Sequence, residues 1–414
     1  MNLAPIAALL LSVFILLVGN GLQGTVLPIR ADIDGFSAFE IGGIGAAYYL
    51  GFTVGCIAGP YAIKRVGHIR AFAALAAIAA ASTMLHALIV SPVPWYVFRC
   101  LTGVCFAGLY MIIESWLNEH SSNENRGLVL SIYQVVNLTA ITGGQFLLNA
   151  AKPAGFELFA IVTVLIAIGL VPVALTTATA PRPIQQTRLR IRWLYSISPV
   201  AVLGCIAVGM ANGAFWGLAP VYARLNGLPV SEIAFFMAVT IIGGAILQFP
   251  LGRLSDHYDR RYVLIAACLL CALAGLGLAT LSGYSHILML ALAFLFGGFA
   301  FPIYALSIAH ANDLVEPGDR VDVSSGLLLI FGLGAVVGPV IASAIMETTS
   351  YHALFYFTAA VHILTAGFAY YRTTRSDAPI AEERDNFVLV NVSSPAVFAI
   401  DPRTPEPPPA DTDT

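Results

Sequence analysis

The sequence predicts an all-α polytopic membrane protein, with twelve transmembrane helices in two pseudo-symmetric six-helix halves. Three observations predict this fold: the composition, the lengths of the apolar segments and an internal repeat. Hydrophobic residues make up 58% of the 414 residues and charged residues only 10%, whereas about a quarter of the residues in a soluble protein are charged. The composition alone therefore favours a chain that is largely embedded in a bilayer.

The apolar segments have the length of membrane-spanning helices. A helix needs ~20 residues to cross ~30 Å of hydrocarbon, and an isolated strand could not satisfy its backbone polar groups there. We predict spans 1 to 6 at 5–28, 40–62, 71–90, 94–117, 127–149 and 156–177. We predict spans 7 to 12 at 198–221, 231–251, 262–281, 285–309, 322–346 and 351–371. Because eleven spans follow span 1, we do not expect span 1 to be a cleaved signal peptide.

The two halves of the chain repeat each other. The pairs of like residues that are 192 positions apart are Asn20 and Asn212, Gly21 and Gly213, Pro28 and Pro220, Glu40 and Glu232, and Ile41 and Ile233. The pairs that are 194 positions apart are Tyr110 and Tyr304, Asn118 and Asn312, Glu119 and Asp313, Arg126 and Arg320, and Ser131 and Ser325. One such pair would be a coincidence, but a set at nearly constant offset indicates two related six-helix units.

Positive charges predict the orientation. If the N-terminus is cytoplasmic, the loops on the cytoplasmic side hold fourteen Lys and Arg residues and those on the other side hold three. Cytoplasmic loops carry such an excess in membrane proteins. We therefore predict a multi-pass protein of the inner (plasma) membrane with both termini in the cytoplasm.

Four parts of the chain follow from these boundaries. Residues 1–177 form the N-terminal half, 178–197 a cytoplasmic linker, 198–372 the C-terminal half and 373–414 a cytoplasmic tail. The linker is rich in Arg and Pro, and the Pro, Asp and Thr content of the tail predicts disorder. Within the tail, the stretch from Phe387 to Ile400 is apolar enough to dock against the rest of the protein.

Several classes of protein are disfavoured. The net charge of −3 gives no reason to expect a nucleic-acid partner, and all six cysteines lie in apolar spans, so no disulfide framework is predicted. Cys268 and Cys271 form a CxxC pair in mid-helix, where packing residues are expected rather than a redox or metal site. The sequence has no HExxH, no GxSxG and no ATP-binding Gly-rich loop. We expect neither an enzyme nor a cofactor nor a metal.

The loop between spans 8 and 9 carries the most specific motif. It runs from Gly252 to Arg261, with Asp256 four residues after the glycine and Arg260 next to Arg261. This pattern resembles the loop that joins the second and third helix of a half in the major facilitator superfamily of secondary transporters.

Other motifs of that superfamily are matched unevenly. The first-half copy of the loop, 59–67, has Lys64 where the family usually has aspartate, and the second copy has Asp259 where a glycine is usual. Span 4 has an Arg-x-x-x-Gly pattern from Arg99 to Gly103, which is similar to the family pattern in this helix. Span 5 lacks the Gly-Pro signature of family antiporters, so antiport is unsupported.

Three further strings resemble the YcaD-like branch of bacterial transporters. They are Gly67 to Arg70, Glu114 to Asn118 and His310 to Asp313. The resemblance to the superfamily covers residues 5–375. It implies that spans 1, 4, 7 and 10 line a central cavity, which opens in turn to the two sides of the membrane as the halves rock.

Polar side chains in or next to those spans are the candidates for the cavity. At 100° per residue, the polar positions of span 4 fall on one face, and amides recur along spans 1, 5 and 7. The candidate cavity residues are Asn20, Gln23, Arg99, Tyr110, Glu114, Gln134, Asn137, Asn212, Trp216 and Tyr304. The alternative for each amide or hydroxyl is a hydrogen bond between packed helices.

Arg99 and Glu114 are the charged candidates. An ionised side chain that faces hydrocarbon costs ~2.5–3.5 kcal/mol, so we expect both to serve substrate binding or proton coupling. They are 15 residues apart, which is ~22 Å along a helix and too far for a direct ion pair. The alternative is that each reaches the membrane surface from its own end of the helix.

A second set of charged residues is predicted to form a cytoplasmic gate. We expect ion pairs within and between the halves that hold this side closed and break when the halves rock. The alternative is a set of solvated surface pairs worth ~0–1 kcal/mol each. The gate residues are Lys64, Arg65, Arg70, Glu119, Arg126, Asp256, Arg260, Arg261, Asp313 and Arg320.

The sequence thus predicts a secondary active transporter of a small organic solute, with protons as the candidate coupling ion through Glu114. Few charges fall in the candidate cavity, which favours a neutral or amphipathic solute. The alternative function is a transporter-like sensor or scaffold without net transport, which we would expect to carry a folded soluble module. The expected partners are the lipid bilayer and the solute, and we expect a monomer.

Overall fold

The structure is a computed structural model that describes residues 3–122, 124–175, 181, 190–375, 386–390 and 392–402. Parts of the predicted linker and tail, namely 178–180, 182–189, 376–385, 391 and 403–414, lie outside the described residues. The helices of the first half are α1 (Leu3–Ile33), α2 (Ala38–Val66), α3 (His68–Leu88), α4 (Pro92–Glu119), α5 (Arg126–Phe146) and α6 (Glu157–Ala174). Those that follow are α7 (Ile191–Ile197), α8 (Pro199–Leu225), α9 (Val230–His257), α10 (Arg260–Leu281), α11 (His286–Ala300), α12 (Pro302–Asn312), α13 (Arg320–Thr348) and α14 (Ala353–Thr373).

The predicted twelve-span fold is confirmed. Twelve helical segments of the described chain are long and apolar enough to cross a membrane. The tenth span, His286–Asn312, consists of α11 and α12, because Pro302 has no N–H to continue the hydrogen-bond ladder. The short helix α7 occupies the end of the predicted linker. Exposed apolar side chains such as Leu88, Leu273 and Leu364 point outward from the bundle, as a surface in contact with lipid requires.

Local signals set the ends of several helices. The Ser37 side chain accepts a hydrogen bond from the Glu40 N–H, and the Glu40 carboxylate accepts one from the Ser37 N–H, which makes a capping box at the start of α2. Ser198 caps α8 through the Ala201 N–H. Gly67, with φ of +85°, provides the left-handed turn between α2 and α3 that other residues adopt only with strain.

The packing of the helices repeats between the halves. The halves meet through α2 against α13 and through α5 against α9. Helices α2 and α9 are the second spans of their halves, and α5 and α13 are the fifth spans. Each contact therefore joins the second span of one half to the fifth span of the other. A Cβ on Gly21 would lie 2.7 Å from the carbonyl oxygen of Ile141, and one on Gly213 would lie 2.5 Å from that of Ala335. The repeated Asn-Gly pairs therefore allow α1 to approach α5, and α8 to approach α13.

We call the two ends of the bundle the linker face, where α6, α12 and α14 end, and the opposite face, where α1 and α8 end. On the linker face the chain returns after α14. Residues 386–390 and 392–402 pack against the bundle, and Pro395–Ala399 form a 3₁₀ helix. The prediction of a disordered tail is thus wrong for this segment, because its apolar side chains are buried among the helices, with Val397 and Ile400 fully inaccessible to solvent.

Candidate functional site

A cavity lies between the two halves. Its walls come from both halves and from residues 386–390 and 392–402, which we call the C-terminal segment. The polar and aromatic residues of the lining are Asn20, Tyr48, Tyr49, Phe52, Arg99, Tyr110, Asn137, Asn212, Trp216, Gln248, Phe301, Tyr304 and Phe331.

Seven of the ten candidate cavity residues lie in this lining, and three do not. Gln23 is fully buried within the first half, where its Nε2 donates to the Thr83 hydroxyl at 3.0 Å. Gln134 is buried outside the lining, and Glu114 lies deeper toward the linker face. The structure therefore brings Asn20, Arg99, Tyr110, Asn137, Asn212, Trp216 and Tyr304 to one cavity. Their binding of a solute remains a prediction.

Arg99 is the one charged side chain among the described residues of the cavity wall. Its side chain is 8% exposed, and its guanidinium lies 4.3 Å from the centre of the Tyr48 ring, a cation–π contact. Its Nη1 is buried without a hydrogen-bond partner within the described part of the chain. No Asp or Glu is found in the described lining. The wall thus holds a positive charge that no described carboxylate of the lining offsets.

Further polar atoms of the wall are also unpaired within the described chain. They include Oδ1 of Asn212 and the hydroxyl of Tyr304, both buried. Beside them, Trp216 stacks on Phe301 with an interplanar angle of 10° and ring centres 5.9 Å apart. The wall therefore combines flat apolar surface with separate hydrogen-bonding groups, which is the usual composition of a small-molecule site.

Sequence reasoning missed the contributions of α2, α9 and the C-terminal segment. Tyr48, Tyr49, Gln248, Val390 and Val392 all line the cavity. The polar groups of Tyr48, Tyr49 and Gln248 within long apolar runs were a signal that could have found the first three. The two valines lie in the apolar stretch that was predicted to dock, but nothing in the sequence indicated the cavity as the place where it docks.

Glu114 lies at the centre of a buried hydrogen-bond cluster. Its Oε1 accepts a hydrogen bond of 2.8 Å from the Tyr133 hydroxyl, and its Oε2 accepts one from the Ser394 hydroxyl. The glutamate and the serine are both fully buried. Both carboxylate oxygens therefore have donors, one from the first half and one from the C-terminal segment.

The opposite face is closed by contacts between the halves. Arg224 at the end of α8 forms an ion pair with Asp32 near the end of α1. The backbone N–H of Phe39 donates to the Glu347 carboxylate at 2.9 Å. A Cβ on Gly42 would lie 2.1 Å from the Ser343 hydroxyl, so α2 and α13 touch there without space for a larger side chain.

On the linker face, Arg260 organises a charge cluster within the second half. Its Nε and Nη2 donate to Asp313 at 2.6 and 3.3 Å, and its Nη1 donates to Asp256 at 3.2 Å and to the Ser255 hydroxyl at 2.9 Å. The Arg260 side chain is 1% exposed. The cluster joins α9, α10 and the end of α12.

The other predicted gate residues differ in their exposure to solvent. Lys64, Arg65, Arg70 and Glu119 are exposed, while Arg126 is buried and Arg320 is half-buried. Arg261 forms an ion pair of 2.7 Å with Asp259. At the positions of Asp256 and Arg260, the first half has Lys64 and His68, so it contains neither of these two members of the cluster. Whether these residues gate transport remains a prediction.

Asp259, on the same face, has a shifted pKa. Burial raises the pKa of its carboxyl, but hydrogen bonds from the Arg261 side chain and backbone, and the charge of Arg261, outweigh burial and hold the pKa below the usual 3.8. Its carboxylate also caps α10 through the Arg261 N–H at 2.9 Å.

In the described chain, no group of three or more His, Cys, Asp or Glu side chains is placed to hold a metal ion.

Comparison with known protein families gives one matching family. The profile of the Major Facilitator Superfamily matches residues 9–301 and 201–402. Two curated relatives are proteins named uncharacterized MFS-type transporter YcaD. The protein from Escherichia fergusonii is 26% identical over 362 residues, with 87% of this chain and 94% of the relative covered. The protein from Salmonella newport is 27% identical over 366 residues, with the same coverage.

Solved structures of transporters share the fold. The nucleoside transporter NupG superposes with a TM-score of 0.75 at 14% identity, covering 91% of this chain and 100% of NupG. A bacterial homologue of the human lysosomal transporter Spinster, in an inward-facing and occupied conformation, has a TM-score of 0.72 at 15% identity, with 92% of this chain and 97% of the homologue covered. A D-xylose-proton symporter has a TM-score of 0.69 at 13% identity, with 92% and 99% covered.

Proposed function

Because the chain belongs to the major facilitator superfamily, we propose that it is a secondary transporter that carries a small amphipathic organic anion across the inner membrane by alternating access. The observation that carries this proposal is the position of Arg99 in the cavity wall without a described acidic partner in the lining. We assign the linker face to the cytoplasm on the distribution of Lys and Arg. We also propose that the protein is a monomer and that it is not an enzyme.

The charge of Arg99 changes the expected solute. The sequence favoured a neutral or amphipathic compound because the spans hold few charges. In the cavity, however, Arg99 is the only charged group of the described wall. A cation without a counter-charge in a low-dielectric site loses much of its solvation, and a carboxylate on the solute would restore it through paired hydrogen bonds.

The aromatic surface supports a solute with a flat apolar part. Trp216 and Phe301 stack on each other, and Tyr48, Tyr49 and Phe331 also line the cavity. Aromatic rings bind flat apolar groups by stacking and edge-to-face contact. Asn20, Asn137 and Asn212 provide amides that would hydrogen-bond polar substituents. A small aromatic carboxylate is therefore the probe that fits the wall best.

Glu114 is the residue that we propose to carry the coupling proton. It is a fully buried carboxyl in α4, the same helix that contributes Arg99 to the cavity. Intramembrane carboxyls commonly serve proton relays in transporters. We expect Glu114→Gln to remove the effect of an imposed pH gradient on uptake, while exchange of solute without a gradient continues.

The experiment that tests the solute class is a thermal-stabilisation screen of the purified protein. Each aromatic carboxylate is paired with its amide, which has nearly the same shape but no charge. A ligand at 100 times its dissociation constant stabilises the folded state by ~2.7 kcal/mol. We expect carboxylates, and not their amides, to raise the unfolding temperature, and we expect Arg99→Gln to remove that difference. Stabilisation by amides and carboxylates alike would contradict an anionic solute.

A further inference from the structure

The C-terminal segment crosses the linker face from one half to the other. It starts at the second half, where the backbone N–H of Phe387 donates to Asp256 at 2.7 Å. The Phe387 ring lies directly on α9, since a Cβ on Gly252 would lie 2.2 Å from its Cδ1 atom. Asp256 thus accepts hydrogen bonds both from Arg260 of the charge cluster and from the segment.

The middle of the segment forms part of the cavity wall. Val390 and Val392 line the cavity together with residues of both halves, and Val390 is 2% exposed. These two side chains therefore cover the cavity on the side that faces the linker.

The segment then reaches the first half and ends there. The Ser394 hydroxyl donates to Glu114 of α4, and the 3₁₀ helix Pro395–Ala399 contacts both α4 and α13. Farther along, Pro402 lies 3.8 Å from the position that a Cβ on Gly127 of α5 would occupy. The segment is therefore held by helices of both halves at once.

Burial of the segment is close to that of the bundle core. Ser393, Ser394, Val397 and Ile400 are inaccessible to solvent, and Phe398 is 2% exposed. Removal of the apolar side chains of Val397, Phe398 and Ile400 from water stabilises the docked segment. The segment thus has the two features of a peptide bound in a groove, namely buried apolar side chains and specific hydrogen bonds to the walls.

We propose that residues 386–390 and 392–402 are an intramolecular ligand that occupies the linker-side mouth of the cavity and must leave before the cavity opens to that side. The segment lies between α4 and α13, which belong to different halves, so it fits only one spacing of the halves. A ligand that binds one of two conformations shifts the population toward it. The docked segment therefore holds the protein with the opposite face closed and its linker-side mouth covered, and it slows the transport cycle.

Glu114 connects this proposal to the chemistry of the cavity. With the segment docked, both oxygens of Glu114 accept hydrogen bonds, from Tyr133 and Ser394. With the segment removed, the Ser394 donor is lost and the carboxyl faces the linker side. The docked segment is thus hydrogen-bonded to the carboxyl that we propose for proton transfer. Occupation of the mouth itself does not depend on which solute or ion is carried.

The first test measures access to the cavity through the linker face. Gly24 lines the cavity, and no atom of the described residues outside its own turn of helix lies within 4 Å of an added Cβ, so Gly24→Cys is a reporter that the site tolerates. The rate at which a membrane-impermeant maleimide modifies residue 24 of the purified full-length protein is followed by mass spectrometry. We expect Ser394→Ala to raise this rate about tenfold, the order of change expected from loss of one charge-assisted hydrogen bond.

The matched control is Ser196→Ala. Among the residues that the structure describes, this exposed serine donates only to the Trp193 carbonyl in its own helix, at 2.7 Å, so its removal should leave the labelling rate unchanged. A synthetic peptide with the sequence of residues 386–402 should lower the rate again in the Ser394→Ala protein. Equal labelling rates in the parent and in Ser394→Ala, with no effect of the peptide, would overturn the proposal.

A second test does not depend on the stability of the Ser394 variant. The pair Gly127→Cys and Pro402→Cys should form a disulfide, because the two side chains are placed within reach. We expect the oxidised protein to show slower labelling at residue 24 than the same protein after reduction, with each single cysteine variant unaffected by reductant. Failure of the disulfide to form, or a disulfide that leaves access unchanged, would overturn the proposal. Neither result bears on whether the protein transports an organic anion.

Discussion

The guanidinium of Arg224 donates a hydrogen bond to the carboxylate of Asp32, and these residues are 192 positions apart, the same offset that relates the two halves. The ion pair thus joins corresponding ends of α1 and α8 across the pseudo-twofold axis. It lies at the opposite face, where the halves must separate if the cavity is to open there. The two halves thus have residues of opposite charge at equivalent positions, Asp32 and Arg224, and these two residues attract each other.

We predict that Asp32→Asn favours opening of the opposite face. The Arg224 side chain is 38% exposed, and partly exposed pairs contribute ~0–1 kcal/mol, so the expected rise in labelling of the Gly24→Cys reporter is no more than about fivefold. Asp34→Asn is the control, because Asp34 pairs with Arg30 of its own half at 2.5 Å. An equal effect of the two substitutions would contradict a gating role for Asp32.

Gly42 provides a steric test of the same closure. A larger side chain there would meet Ser343 and the carbonyl oxygen of Pro339, 2.6 Å from the added Cβ. We expect Gly42→Leu to hold α2 and α13 apart and to lengthen the distance between spin labels at Asp34 and Tyr284, measured by double electron–electron resonance. Gly143→Leu is the control, since outside its own turn of helix no described atom lies within 4 Å of its Cβ position. An unchanged distance in Gly42→Leu would mean that the helices adapt locally.

Arg260 forms ion pairs with Asp313 and Asp256, and we expect substitution of Asp313 to destabilise the protein more than substitution of Asp256. The Asp313 side chain is 2% exposed and that of Asp256 is 21% exposed. Removal of one partner of a buried ion pair costs ~3–5 kcal/mol, so Asp313→Asn should lower the free energy of unfolding by about 3 kcal/mol. Asp256→Asn should cost less, because Arg260 keeps its two bonds to Asp313. Chemical unfolding of the purified variants measures both, and the reverse order would contradict the assignment.

The same variants test the predicted gate. If these charges help to set the conformation of the linker face, Asp256→Asn and Asp313→Asn should change the transport rate and the balance between the two open states. If neither quantity changes, the cluster only stabilises the second half and does not act as a gate.

Asp259 predicts a specific acid sensitivity. Its pKa is lower in the folded protein than in the unfolded chain, so the folded state binds this proton more weakly. Its contribution to stability is present above the unfolded pKa and is lost as the pH falls through the folded pKa. We expect the difference in unfolding free energy between pH 6 and the acid range below 3.8 to be smaller in Asp259→Asn than in the parent.

A second variant separates the charge of Asp259 from its capping bond. Loss of a helix N-cap costs ~0.5–2 kcal/mol, so Asp259→Ala should be less stable than Asp259→Asn at every pH. If the acid-range slopes of the parent and of Asp259→Asn coincide, another carboxyl is responsible for the acid sensitivity.

The spans and the repeat could be predicted from the sequence because they depend on local composition. Apolar length identified every span, and the matched Asn-Gly pairs located equivalent helices. The cavity could be predicted in part, since Asn20, Arg99 and Asn212 line it. Gln23 was assigned to the cavity on its helical face, yet it bonds Thr83 within the first half. Which neighbour an amide meets depends on helix rotation, which hydropathy does not encode.

The C-terminal segment shows the other limit of the sequence. Its apolar stretch indicated that it could dock, but nothing local identified Glu114 and Asp256 as its partners. These contacts join residues 280 and 131 positions apart. Such contacts depend on how the helices of both halves pack, so the fold has to be known before the segment can be placed.

The central claim is that Arg99 binds the negative charge of a transported organic anion. The most direct test is uptake, into proteoliposomes with an inward proton gradient, of the aromatic carboxylate that stabilises the purified protein best. We expect uptake above protein-free vesicles, a loss of at least tenfold in Arg99→Gln, where the charge-assisted bond is gone, and partial recovery in Arg99→Lys. Equal uptake by the parent and Arg99→Gln, or better uptake of the matched amide, would contradict the claim.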